Sequence, residues 1–168
     1  MIYRRLPLAV LIVLALAACG GSAAKQRQEK ATAAAEAQWR TALTSWGTSM
    51  TRALNGISVV FSQPAQVKGI EASDPRTLAR LRRLEQTLLG CTVAVTRLGD
   101  APATLADSHR EALHACLALE QGASLVRSGV REVQNGLGVD LLNRSSVSLA
   151  AGQDGVRRAE LDLTPSPS

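Results

Sequence analysis

Residues 105–133 read LADSHREALHACLALEQGASLVRSGVREV. In that stretch Leu105, His109, Ala112, Cys116, Leu119, Ala123, Val126, Val130 and Val133 recur at alternating intervals of four and three. An α-helix turns about 100° per residue, so these positions form one apolar face and the intervening ones a polar face. The spacing predicts a helix from Ala103 or Thr104 to about Asn135. Thr104 and Asp107 form an approximate capping box at its start, and Gly136-Leu137-Gly138 stops it. A face this long has to be covered by other helices, so the fold class follows from it.

Working towards the N-terminus, Gly99-Asp100-Ala101-Pro102 is a turn. Before it, Leu78, Leu81, Leu84, Leu88, Cys91, Val95 and Leu98 stripe a second helix that opens at Asp74-Pro75, with Asp as N-cap and Pro in the first turn. Gln63 to Ser73 is a loop. Trp39, Leu43, Trp46, Met50, Ala53, Ile57 and Val60 mark a further helix, expected from about Ser22 to Phe61 and kinked at Gly47. Beyond Gly138, Leu142, Ser146 and Leu149 give a shorter fourth helix, about Val139 to Ala151, with a short helical piece near Val156–Leu161. No strand-like alternation persists beyond a few residues. The expectation is an all-α fold: an antiparallel helical bundle over residues 39–161, three long helices plus a shorter fourth, followed by a disordered Pro/Ser tail over 162–168.

Ser108, Ala115, Gly122, Gly129 and Gly136 lie seven apart on the third helix. Glycine within a helix costs ~1 kcal/mol relative to alanine, so three at one heptad position need a reason. One is close approach of a neighbouring helix, with Trp39 or Trp46 over the gap. The other is a groove, lined by Ala115, Gly122, Gly129 and Gly136, for an acyl chain, a peptide or a partner helix.

The N-terminus has a different character. Arg4 and Arg5 precede an apolar run from Leu6 to Leu16, and Leu16-Ala17-Ala18-Cys19 ends it. The run is short of the ~20 residues a membrane-spanning helix needs. This arrangement resembles the lipobox signal of bacterial lipoproteins. The resemblance implies that residues 1–18 are a cleaved signal peptide and that Cys19 carries diacylglyceryl and acyl chains. Residues 19–38 then form a tether and helical stalk. With each buried CH₂ worth ~0.8 kcal/mol, two or three chains on Cys19 anchor permanently. Gly20, rather than Asp, follows the cysteine. That implies the outer membrane in a two-membrane host and the outer face of the cell membrane otherwise. The remainder resembles small Ala- and Arg-rich helical lipoproteins of GC-rich bacteria, on Cys91-Thr92-Val93-Ala94-Val95, Leu98-Gly99-Asp100-Ala101-Pro102, His109 and Ala115-Cys116. That likeness assigns no activity.

An exported chain matures where thiols oxidise, so Cys91 and Cys116, the pair left after the anchor, are expected to form a disulfide. The spacing is imperfect, because the two cysteines lie about seven and twelve residues from the turn. At ~1.5 Å per residue the helix legs differ by roughly 6–9 Å.

Composition bounds the function. From Cys19 onward the chain has seventeen Lys and Arg against fourteen Asp and Glu, and only Trp39, Trp46 and Phe61 are aromatic. Neither the charge nor the aromatics suit nucleic acid. Glu111-Ala112-Leu113-His114 matches one half of a di-metal motif that needs two copies plus two further glutamates. His109, on the seam, reads as a core histidine with a hydrogen-bond partner, and less readily as a metal ligand or a haem ligand with Met50. No Gly-x-Ser-x-Gly, Cys-x-x-Cys or phosphate loop occurs. No catalytic residue, cofactor or metal is expected. Arg76, Arg80 and Arg83, with Arg82 beside them, form a basic helix face open to solvent or to anionic groups. The expected function is a membrane-anchored binding or scaffold module for an envelope partner. A carrier of a small apolar ligand in the glycine groove is the alternative, and a metal- or haem-binding bundle comes third.

Overall fold

In a computed structural model the chain is described over residues 9–61, 75–132, 138–161 and 163, with side chains from residue 22 onward. The elements are α1 (Ala9–Phe61), α2 (Pro75–Leu89), α3 (Cys91–Thr96), a 3₁₀ turn (Ala103–Leu105), α4 (Ala106–Glu132) and α5 (Gly138–Leu161). The fold is all-helical, with no strand among the described residues. The chain divides into two compact units, Met1–Gln38 and Trp39–Ser168.

In the first unit, residues 22–38 are helical and solvent-exposed apart from a half-buried Glu36. The side chains of residues 1–21, Cys19 among them, lie outside the described ones. Among the described residues no helix is long and apolar enough to cross a membrane.

The second unit holds the core. Every residue of the stripe read on α1 is buried there: Trp39, Leu43, Trp46, Met50, Ala53, Ile57 and Val60. Leu81, Leu88, Cys91 and Val95 join them from α2 and α3, and Leu105, Ala112, Cys116, Leu119, Ala123 and Val126 from the third predicted helix. Burial at ~25 cal/mol per Å² of apolar surface makes this cluster the main stabilising term.

Four features depart from the sequence reading. The second predicted helix is two helices, because Gly90 (φ −93°, ψ 8°) leaves helical geometry between them. The backbone N–H of Thr92 then donates to Glu120 Oε1 on α4 at 2.8 Å. A carboxylate from a neighbouring helix thus satisfies an orphan donor at a helix start. The expected capping box is replaced by a 3₁₀ turn that follows Pro102 and has no side-chain cap. Asp107 pairs instead with Arg110. At Gly47 α1 continues as helix, and Glu160 of α5 lies against the space a Cβ would fill. Finally, α5 is not short, since it runs 24 residues through Gly152 and Gly155. Leu163, expected in the tail, is buried, and its carbonyl accepts from Arg40 Nη1.

Cys91 and Cys116 are joined by a disulfide, their Cα atoms 5.1 Å apart. The break at Gly90, the left-handed Gly99 (φ 77°) and the extended Pro102 supply the freedom that two unbroken helices would lack. The bridge closes a separation of 25 residues, worth ~3 kcal/mol in the chain-entropy view.

Glycines drive the pairing of α4 with α5. A methyl at Gly122 would lie 2.6 Å from Leu149 Cδ2, and one at Gly129 would lie 2.8 Å from Leu142 Cγ. In return, Leu119 covers Gly152 and Ala115 covers Gly155. The contacts run in opposite senses along the two helices, so this pair is antiparallel. At Gly155 the obstacle is main chain: a methyl there would sit 2.8 Å from Ala115 Cβ and 3.1 Å from its Cα. Helix propensity alone would make Gly155→Ala stabilising by ~1 kcal/mol. Overpacking against a backbone that cannot step aside costs ~1–3 kcal/mol and reverses the sign. Gly155→Ala should therefore lower the midpoint of chemical unfolding with an unchanged denaturant slope. A raised midpoint would refute the close α4–α5 approach.

Candidate ligand groove

The sequence placed a groove along Ala115, Gly122, Gly129 and Gly136. Ala115, Gly122 and Gly129 are buried, and side chains of α5 fill the space above the two glycines. Gly136 lies outside the described residues. Leucines, not Trp39 or Trp46, cover the stripe. The reason lies in α5, where Gly138, Ser145, Gly152 and Ala159 also lie seven apart and are all buried. Two facing rows of small residues let the helices approach until leucines seat in the gaps. The reading of α5 along Leu142, Ser146 and Leu149 missed this second row, and Ser146 is exposed. The signal was present as the same interval of seven.

An open groove lies one helix over, between α1 and α5. It holds about 620 Å³ and has Leu54, Ile57 and Phe61 of α1, Val126 of α4, and Leu142 and Leu149 of α5 as its apolar surface. The leucines that seat on Gly129 and Gly122 thus also form one groove wall. Its polar lining is Asn55, Ser58, Asn143, Ser145, Ser146 and Gln153, with no charged side chain. Ser145 and Ser146 spend their hydroxyl protons on carbonyls of their own helix, those of Leu142 and Asn143, both at 2.6 Å. These two hydroxyls are left with acceptor capacity only. The side chains of Asn55, Ser58, Asn143 and Gln153 make no hydrogen bond among the described residues and retain donors and acceptors. A space of this size, apolar within and carrying a few uncharged polar groups, suits a small molecule.

The other residues singled out in the sequence fall elsewhere. Glu111 pairs with Arg158 Nε at 3.0 Å, and His114 is exposed, so the Glu-x-x-His match sits on a salt-bridged surface. Among the described residues no cluster of His, Cys, Asp and Glu converges as metal ligands would. His109 packs edge-on against Trp39, ring centroids 5.6 Å apart. Among the described residues its buried Nε2 lacks the expected hydrogen-bond partner, and Nε1 of Trp39 and Nε1 of Trp46 have none either.

The sequence reading overlooked Glu85. It interrupts the apolar face of α2, and among the described residues its ion pair is with Arg127 Nε at 3.5 Å. Burial raises its carboxyl above the ordinary glutamate value, against the pull of Arg127, Arg82 and Arg131. A carboxyl raised on folding binds its proton more tightly in the native than in the unfolded chain. The folded state is therefore favoured at acid pH, and that advantage is lost as pH rises from the ordinary glutamate range through the raised value. Glu85→Gln keeps the shape and removes the titration. It should be at least as stable as the parent at pH 7 and should lack the parent's loss of stability over that window. Thermal melts from pH 4 to 8 check this, and parallel curves for the two proteins would contradict it.

No known protein-family model matches the chain, and no curated protein or solved structure matches it either.

Proposed function

We propose that this chain is a lipid-anchored binding module of the cell envelope. In this reading residues 1–18 are a cleaved leader, Cys19 holds the protein in the membrane, and an antiparallel helical bundle carries the function. Its cargo is an uncharged, largely apolar small molecule bound between α1 and α5. The observation that carries the reading is the 620 Å³ groove, whose lining is apolar and neutral and offers unpartnered amides at Asn55, Asn143 and Gln153. A charged ligand would be desolvated there without a counter-charge, at a cost of several kcal/mol. A neutral one keeps its apolar surface dry and directs its polar end to the amides. The Leu16-Ala17-Ala18-Cys19 motif supports the anchor. The Cys91–Cys116 disulfide suits an oxidising compartment.

Native mass spectrometry of protein purified from its own host tests both parts. Cys19 is expected to carry acyl mass that Cys19→Ser lacks. The parent should also carry a noncovalent adduct of small-molecule mass. Ser58→Trp with Ala150→Trp fills the groove from two exposed positions and should abolish the adduct. Such surface changes leave stability within ~0.5 kcal/mol of the parent. An adduct that survives the double substitution removes the groove from the reading. A protein-sized adduct in its place means that a partner chain, not a small molecule, is the occupant.

A further inference from the structure

The positive charge of this chain is unevenly placed. The face of α2 that points away from the core presents Arg76, Arg80 and Arg83, one helical turn apart, with Arg82 at its edge. Across that edge Arg127 and Arg131 of α4 act with Arg82 on the buried Glu85. All six arginines are exposed, whereas Glu85 is 3% exposed. No described residue forms a salt bridge with Arg76, Arg80, Arg82, Arg83 or Arg131. Six arginines less one glutamate give +5 for this group, against a formal charge of +3 for the chain from Cys19 onward. The remainder of that stretch sums to −2, so its positive excess comes from these side chains.

We propose that this face docks on an anionic phospholipid surface. A pocket for one oxyanion would converge its donors. Here the guanidiniums of α2 stand in a row along one helix and suit a plane of phosphates, each able to take two N–H donors from an arginine. The lipid identity rests on the membrane-anchored reading above, whereas the charge asymmetry does not depend on it. Attraction to an anionic leaflet is worth about a factor of five per basic residue at the surface. Several arginines would thus hold the domain against the bilayer, and release would follow screening by salt.

The test uses residues 19–168 with Cys19→Ser, so that neither the leader nor an acyl chain contributes. Vesicles are phosphatidylcholine with or without one third phosphatidylglycerol, and the bound fractions are compared at low salt. Binding should be tighter to the anionic vesicles. Arg76→Gln, Arg80→Gln and Arg83→Gln together should lower it by ~100-fold, and about half-molar salt should erase the preference. Glutamine preserves helix propensity. The control removes the same charge from exposed positions elsewhere: Arg52→Gln, Arg97→Gln and Arg144→Gln. It should retain most of the binding. Equal losses in the two triple variants would reduce the effect to net charge and overturn the proposal. So would equal binding to neutral and anionic vesicles. Preferential binding to polyglutamate over anionic vesicles would assign the face to an acidic protein instead. Absence of acyl mass at Cys19 in the host protein would sink the anchor alone and leave this result standing.

Discussion

The α4–α5 interlock is the constraint on which the rest of the second unit depends. Glycines at 122, 129, 152 and 155 each receive a side chain from the opposite helix. Each glycine disfavours its own helix, since it frees the unfolded backbone and offers no side chain to pack. The compensation is tertiary. Two backbones come close enough for leucines to fill three of the gaps and Ala115 the fourth, and close packing of that kind yields dispersion contacts that a wider helix spacing forfeits. This also explains why α5 does not end where the sequence suggested. A glycine in an isolated helix is a candidate stop, but one facing Leu119 is a socket. The pair supplies a platform, and α1 and α2 lay their apolar stripes against its remaining faces.

What the sequence revealed follows from this distinction. Periodicity along α1, α2 and α4 identified nearly every buried position there, because large apolar residues at intervals of three and four have no other explanation in an exposed chain. Small residues carry a weaker signal. Gly122 and Gly129 stood out on α4, but Gly138, Ser145, Gly152 and Ala159 on α5 did not, since serine and alanine also populate solvent-facing helices. The groove itself was misplaced by one helix. Its lining brings Leu54 and Ile57 of α1 together with Leu142 and Leu149 of α5. That combination depends on how two helices distant in sequence are juxtaposed. The break at Gly90 was missed for a similar reason: it persists because Glu120, 28 positions further along, accepts the freed N–H of Thr92. The arginine row was visible from spacing alone, whereas its continuation onto Arg127 and Arg131 required the packing of α2 on α4.

The disulfide and the Glu120 bond reinforce each other. Cys116 and Glu120 lie one turn apart on α4, and their partners, Cys91 and Thr92, are neighbours at the start of α3. The covalent link shortens the search for the hydrogen bond, because it restricts the unfolded ensemble around the point that the carboxylate must reach. The hydrogen bond in turn fixes the local direction of a chain that Gly90 leaves free. A short helix of six residues would not persist alone. Here it is held at one end by a bridge and a charge-assisted bond, and along its length by Val95 in the core.

Separation of the two surfaces is the last consequence of the packing. Leu142 and Leu149 each serve two roles, seating on glycines of α4 and walling the groove toward α1. The α5 wall of the groove is therefore held by the α4–α5 pair, and in the proposed reading a ligand meets a wall already formed. Rigid walls reduce the ordering cost of binding, which favours a small neutral ligand that has few polar contacts to offer. The charged face lies on α2 and the α2-facing edge of α4, and it shares no side chain with the groove lining. Long-range attraction between guanidiniums and phosphates survives within a Debye length of the surface, whereas groove binding depends on contact and exclusion of water. In the proposed reading one surface responds to salt and lipid charge and the other to ligand shape. The fold keeps them apart by placing them on different helix pairs, α1–α5 and α2–α4, with α4 lending the groove only Val126.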